Sequence, residues 1–239
     1  MLRDVDFHVC AGETVALVGH TGAGKSTLVK LLSRFYDPTA GRVLVDGHDV
    51  RDLRASWYRQ TLGIVPQEGF LFSATVADNI RFGRPDASDD DVHAAARAVG
   101  ADEFIAELEH GFETEVGERG SRLSAGQRQL LAFARAMLAD PALLVLDEAT
   151  SSVDVATELR LSDGLRSLVA GRTAFIVAHR LSTIRGADRI FVIDDGVIVE
   201  QGTHDELIAL DGFYADLFGS WTGTEATIEE CLRPETVDT

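Results

Sequence analysis

Lysine is almost missing from this chain of 239 residues, where Lys25 and Lys30 stand against 20 arginines. The plain reading of the bias is genomic base composition, since most arginine codons are rich in G and C. Any motif that demands a lysine therefore had few to draw on. Cysteine is scarce as well: Cys10 and Cys231 lie at opposite ends without paired spacing, so neither a disulfide framework nor a zinc site is suggested. No apolar run approaches the roughly 20 residues needed to cross a bilayer. Met1-Leu2-Arg3-Asp4 turns acidic at once, unlike a secretory signal. Positive charge is also short, and a net charge of −17 argues against nucleic acid as a partner. What is present is ordinary for a globular protein with a sizeable core, 45% hydrophobic and 26% charged residues. The expectation is a soluble, cytosolic chain.

Strand and helix signals alternate through the first third. Thr14–Val18 is a short apolar run ending in a glycine-rich loop, and Ser26–Arg34 has helical periodicity. Arg42–Val45 reads as a strand before an Asp46-Gly47 turn, and Leu62–Val65 as another strand. From Gln67 to about Ala139 the pattern is mostly helical. Ser88 followed by Asp89, Asp90 and Asp91 suits a capped helix start with acids on the positive end of the helix dipole. Ser124-x-x-Gln127 opens the strongest helix, with Leu130, Leu131, Ala134, Met137 and Leu138 on one face. Strands return at Leu143–Leu146, Thr173–Val177, Arg189–Ile193 and Val197–Glu200, and Thr203-x-x-Glu206 opens a helix through Leu210. Near-continuous apolar strands suit a parallel sheet buried on both faces. The expected organisation is an α/β core over 1–66 and 140–218, a helical insertion over 67–139, and an acidic, disordered tail over 219–239.

Gly19-His20-Thr21-Gly22-Ala23-Gly24-Lys25-Ser26 follows a strand and opens a helix, the context in which G-x-x-x-x-G-K-[ST] forms a phosphate cradle. Glycines let successive N–H groups turn toward an anion, and the helix N-terminus adds partial positive charge there. Gly19, Thr21, Gly22, Ala23, Gly24, Lys25, Ser26 and Thr27 are the candidate nucleotide-binding residues, with Lys25 on the β- and γ-phosphates and the Ser26 hydroxyl on Mg²⁺. The pattern identifies a nucleoside triphosphate site without naming its task.

Leu143–Leu146 ends in Asp147-Glu148, and strand C-termini face the ligand crevice of open α/β sheets. Asp147 there suits Mg²⁺, and Glu148 suits polarising the water that attacks the γ-phosphate. Such acids standing alone usually cap the next helix. Leu123-Ser124-Ala125-Gly126-Gln127, taken alone, is likewise a helix cap, although its N–H groups would make a second anion site.

The glycine-rich loop, Leu123–Gln127, Leu143–Glu148 and His179, in this order and spacing, resemble the ATP-binding cassette (ABC) ATPases, with a likeness running from about Leu2 to Phe218. Val65-Pro66-Gln67-Glu68-Gly69-Phe70-Leu71-Phe72 and Thr114-Glu115-Val116-Gly117-Glu118-Arg119-Gly120 resemble the exporter subgroup. The resemblance implies a P-loop NTPase fold, a mostly parallel sheet with a small antiparallel part and an inserted helical subdomain. It implies ATP hydrolysis with Mg²⁺ that powers export. Two cassettes would pair head to tail, with Ser124, Gly126 and Gln127 facing the partner's nucleotide. Gln67 would sense Mg²⁺ and the γ-phosphate, alongside Ser26 and Asp147 as metal ligands. Glu148 and His179 would act on the γ-phosphate, and Asp154 would sit at the dimer seam. Glu118, Arg119 and Gly120 would touch the transmembrane partner, placing the chain at the cytoplasmic face of a membrane.

Three departures qualify the likeness. Ala125 stands where the family usually has glycine, and Ser152-Val153 where it has Ala-Leu. Only 18 residues precede Gly19, and Phe7 reads as core, so the aromatic on which the family stacks adenine is not matched. The expectation is a chain beginning after that residue, either as a fragment of a longer exporter or through a late-assigned start. A lost stack of about 1–3 kcal/mol would weaken nucleotide binding tenfold or more. Two other readings stand beside the export motor: a truncated cassette that binds nucleotide without turnover, and a non-transport ABC ATPase, which the net charge disfavours.

Overall fold

The computed structural model describes residues 1–67, 69–147, 154–178 and 180–221. Among the described residues the strands are β1 (Thr14–Val18), β2 (Leu44–Val45), β3 (His48–Asp49), β4 (Leu62–Val65), β5 (Leu143–Asp147), β6 (Thr173–Val177), β7 (Arg189–Asp194) and β8 (Val197–Gly202). The helices are α1 (Lys25–Leu32), α2 (Ala55–Thr61), α3 (Val76–Arg81), α4 (Asp89–Ala98), α5 (Asp102–Ala106), α6 (Ala125–Ala139), α7 (Val155–Val169), α8 (Leu181–Gly186), α9 (His204–Ala209) and α10 (213–221). Six strands form one sheet in the order β4-β5-β6-β1-β7-β8, parallel throughout except for β8, which runs antiparallel to β7. This is the α/β fold expected from the sequence.

Strand periodicity divides the interior into two cores, because successive side chains point to opposite faces of a sheet. Val15, Leu17, Val145, Phe175, Val177 and Phe191 face one way, onto Leu28 and Leu32 of α1 and Tyr58 of α2. Ala16, Val18, Leu144, Leu146, Ile176 and Val192 face the other, onto α6 and its neighbours through Leu131, Phe133 and Ala134. Each fully buried Leu, Ile or Phe contributes about 1.5–3 kcal/mol. Phe7 lies against Phe191 and Phe175, with ring centroids 4.9 and 6.0 Å away, so it is a core residue as the sequence indicates.

The small antiparallel part is a hairpin of β2 and β3. Its strand is shorter than the expected Arg42–Val45. Asp46 and Gly47 at its tip both have positive φ, 50° and 79°, the conformation for which Asp-Gly is favoured in two-residue hairpins.

Between β4 and β5 the chain is helical, and polar caps fix where each helix starts. Ser88 Oγ accepts from Asp91 N while the Asp91 carboxylate accepts from Ser88 N; Ser124 with Gln127 and Thr203 with Glu206 repeat this reciprocal arrangement at α6 and α9. Leu130, Leu131, Ala134 and Leu138 of α6 are buried, as the periodicity indicates, and Met137 is half-buried. At the other end α10 continues through 221, three residues beyond the boundary drawn at 218, because Trp221 still packs on the core. The remainder of the expected tail, 222–239, lies outside the described residues.

Candidate functional site

Parallel strands deliver their C-terminal ends to one edge of the sheet. Val65 pairs with Leu146, Asp147 with Val177, and Leu17 with Val177, so the ends of β4, β5, β6 and β1 lie side by side. Gln67, Asp147 and the Gly19–Ser26 loop, far apart in sequence, leave the sheet at this edge. Glu148 and His179, also expected at the site, lie outside the described residues.

The loop's backbone is set by glycine. Gly19, Gly22 and Gly24 have φ of 146°, 86° and 122°, and a side chain on Gly19 would overlap the Ile193 carbonyl. The loop is tied down where Gly196 N donates to Ala23 O at 2.8 Å. α1 starts at Lys25 with no side-chain cap. Among the described residues, the N–H groups of Thr21, Gly22, Gly24, Lys25 and Ser26 donate to no backbone acceptor. Unpaired donors converging on a helix start form an anion site.

Lys25 is 7% exposed. Its Nζ donates to Gly19 O at 2.7 Å and His20 O at 3.0 Å, which curls the ammonium back over the loop. Burial pulls its pKa below the usual lysine value, and the Asp147 carboxylate opposes that shift. Ser26 and Thr27 are exposed on the first turn of α1, and Asp147 is half-exposed at the end of β5. These residues fit a polyphosphate: N–H donors for oxygens, a cation for charge, and a hydroxyl and carboxylate for Mg²⁺. Among the described residues no three His, Cys, Asp or Glu side chains form a metal cluster.

The Ser124–Gln127 turn is separate. Ser124 Oγ accepts from Gln127 N at 3.2 Å, and Gln127 Oε1 from Ser124 N at 2.9 Å. Ala125 and Gly126 keep N–H groups without a backbone acceptor among the described residues. Gly126 is buried, and a Cβ there would overlap Thr157 Cγ2 of α7. Among the described residues no hydrogen bond or ion pair joins this turn to the phosphate loop. Asp154 caps α7, accepting from Thr157 N at 3.0 Å and Thr157 Oγ1 at 2.6 Å, and these bonds hold its pKa below the usual carboxylate value. Gln67 is exposed on the bend after β4. Glu118 and Arg119 are exposed on a short 3₁₀ turn, while Gly120 is buried with Leu71 and Arg128 close behind it.

One arrangement near Gln67 was not anticipated. Asn79 is 1% exposed; its side chain donates to Phe72 O and Thr75 O and accepts from Phe72 N. Arg135 of α6 donates to Asn79 O at 2.9 Å, Asn79 Oδ1 at 3.0 Å and Phe70 O at 3.0 Å, with its guanidinium over the rings of Phe72 and Phe82. A polar residue at a buried helix position and an arginine inside an apolar helix stripe were the available signals.

A glycine loop between a central strand and a helix, with a buried lysine and a carboxylate on the neighbouring strand end, defines a P-loop nucleotide-binding domain. The family model described as ABC transporter matches residues 2–151. Over 216 residues the chain is 56% identical to the ABC transporter ATP-binding protein YknV of Bacillus subtilis, covering 90% of this chain and 36% of that protein. It is 46% identical over 237 residues to human ATP-binding cassette sub-family B member 6, covering 99% of this chain and 28% of that one. A solved structure of a bacterial Atm1-family ABC exporter with ATP bound superposes with a TM-score of 0.85 at 46% identity, over 92% of this chain and 38% of the other. The chain belongs to the ABC transporter family. It spans little more than a third of the length of YknV and of the Atm1-family exporter chain.

Proposed function

We propose that this chain is the ATP-driven motor of an exporter, working at the cytoplasmic face of a membrane with a transmembrane partner and a second cassette. The similarity to an exporter solved with ATP bound supports this reading. ATP would lie on the five unpaired N–H groups of the phosphate loop, with Lys25 releasing the Gly19 and His20 carbonyls to meet its phosphates. Bound Mg²⁺ would neutralise phosphate charge, held through Ser26 and Asp147 with Gln67 beside them. Glu148 would orient and deprotonate the attacking water, and His179 would steady the γ-phosphate.

The observation that carries the dimer is the second set of free donors. Ala125 and Gly126 N–H groups, with Ser124 beside them, would make an anion site, and among the described residues no hydrogen bond joins it to the chain's own phosphate loop. A second copy, turned head to tail, would bring its nucleotide there, with Asp154 at the seam. Glu118 and Arg119 are placed on an exposed turn suited to meeting the transmembrane partner.

Glu148→Gln tests the reading directly. The variant should bind ATP–Mg²⁺, lose turnover, and double its solution mass from 25.8 kDa when ATP is added. Undiminished hydrolysis by the variant would remove Glu148 from the mechanism, and a monomeric mass at millimolar ATP would remove the dimer.

A further inference from the structure

Gly126 sits inside α6 with no left-handed backbone angle, so its own helix gives no reason for a glycine. The reason lies across the helix interface. Thr157, in the first turn of α7, directs its Cγ2 at the place where any Cβ on residue 126 would stand. That methyl is not free to turn away. The Thr157 hydroxyl donates to Asp154 Oδ2 at 2.6 Å while its N–H donates to Oδ1, and a β-branched side chain held at one γ-atom has its other γ-atom fixed.

We propose that Thr157 is a positioning residue, a strut that locks the Ser124–Gln127 turn to Asp154 so that the two move as one body. The inference rests on the dimer reading above, which puts both segments at the seam. The neighbouring contact supports it: Leu161, one turn further along α7, comes within 3.9 Å of the same position. Asp154 stays ionised, since the Thr157 bonds depress its pKa, so the hydrogen-bonded end of the strut persists at neutral pH. A strut of this kind transmits a push on Asp154 to the N–H groups of Ala125 and Gly126 without any contact to nucleotide.

Moving one methyl across the interface tests it. Thr157→Ser deletes Cγ2 and keeps the hydroxyl, Gly126→Ala adds a methyl where Cγ2 stood, and the double variant restores the contact with its sides exchanged. All are made in the Glu148→Gln chain and followed by light scattering against ATP–Mg²⁺ concentration. Each single change should raise the ATP concentration for half-dimerisation by about tenfold, and the double variant should return most of it, the signature of directly coupled positions. Melting temperatures without nucleotide are measured alongside. A double variant no better than Gly126→Ala, or a single variant that matches the parent, overturns the proposal. Recovery of melting temperature without recovery of dimerisation also overturns it, because the contact would then be structural only. A parent that stays monomeric with ATP overturns instead the dimer reading on which it rests.

Discussion

Replacing Lys25 by methionine separates the two states in which that residue works. Lys25 is 7% exposed, and its ammonium donates to two carbonyls, Gly19 O and His20 O. Methionine has similar length and no charge. Its introduction removes two charge-assisted hydrogen bonds, each worth about 1.5–3 kcal/mol, but also removes the desolvation that lowers the lysine pKa. These terms oppose, and the stability without ligand should stay within about 1 kcal/mol of the parent. ATP binding has no such offset, because the lost partner is a phosphate, and a deficit of about 1.5–3 kcal/mol weakens it roughly 10- to 150-fold. Urea denaturation with and without ATP–Mg²⁺ reads both. At an ATP concentration of about 100 times the parent's Kd, the parent gains about 2.7 kcal/mol, whereas a variant bound a hundredfold more weakly gains about 0.4 kcal/mol. A methionine variant stabilised by ATP as much as the parent would refute the phosphate role. A loss above about 3 kcal/mol without ATP would show that Lys25 chiefly supports the fold.

Two further outcomes follow from buried polar groups. Arg135→Ala should cost about 3–5 kcal/mol in urea denaturation, since it strips donors from Asn79 and Phe70 and a cation from the Phe72 and Phe82 rings. Arg135→Lys should recover less than half of that, as an ammonium lacks the planar fork, and full recovery would count against the geometry. Burial pushes the hydroxyls of Tyr58 and Tyr214 up to about 12, so the folded chain keeps protons that the unfolded chain releases above its ordinary value near 10. Stability should therefore fall as pH rises from 10 toward 12, and Tyr58→Phe or Tyr214→Phe should flatten that fall. Equal slopes in parent and variants, measured as urea midpoints across this range, would disprove the assignment.

Periodicity made the sheet legible: β1, β4, β5, β6 and β7 coincide with the short apolar runs, and capping residues located α4, α6 and α9. The phosphate loop was legible for a related reason, since its glycines, lysine and serine are contiguous. Helix α7 was not. At its centre stands Gly164, where a Cβ would lie 2.8 Å from Val99 O and 3.3 Å from Leu130 Cδ2. Tertiary crowding chose the residue, and local propensity alone does not register that. The Arg135–Asn79 lock was hidden likewise, because 56 residues separate its partners. Gly126 looked like a nucleotide-facing residue, and its packing on Thr157 is visible only once α6 and α7 are side by side.

The place of β1 in the middle of the sheet has a consequence during synthesis. Thr14 pairs with Ala174, 160 residues later, and Val15 with Arg189. At about 5–20 residues per second, the ribosome takes roughly 10–30 s to supply those neighbours. Throughout that interval the phosphate loop has emerged, complete in sequence, with neither flanking strand to hold it. A nascent chain arrested before residue 173 should therefore be blind to ATP, and nucleotide capture should begin only when the last of the parallel strands has left the exit tunnel.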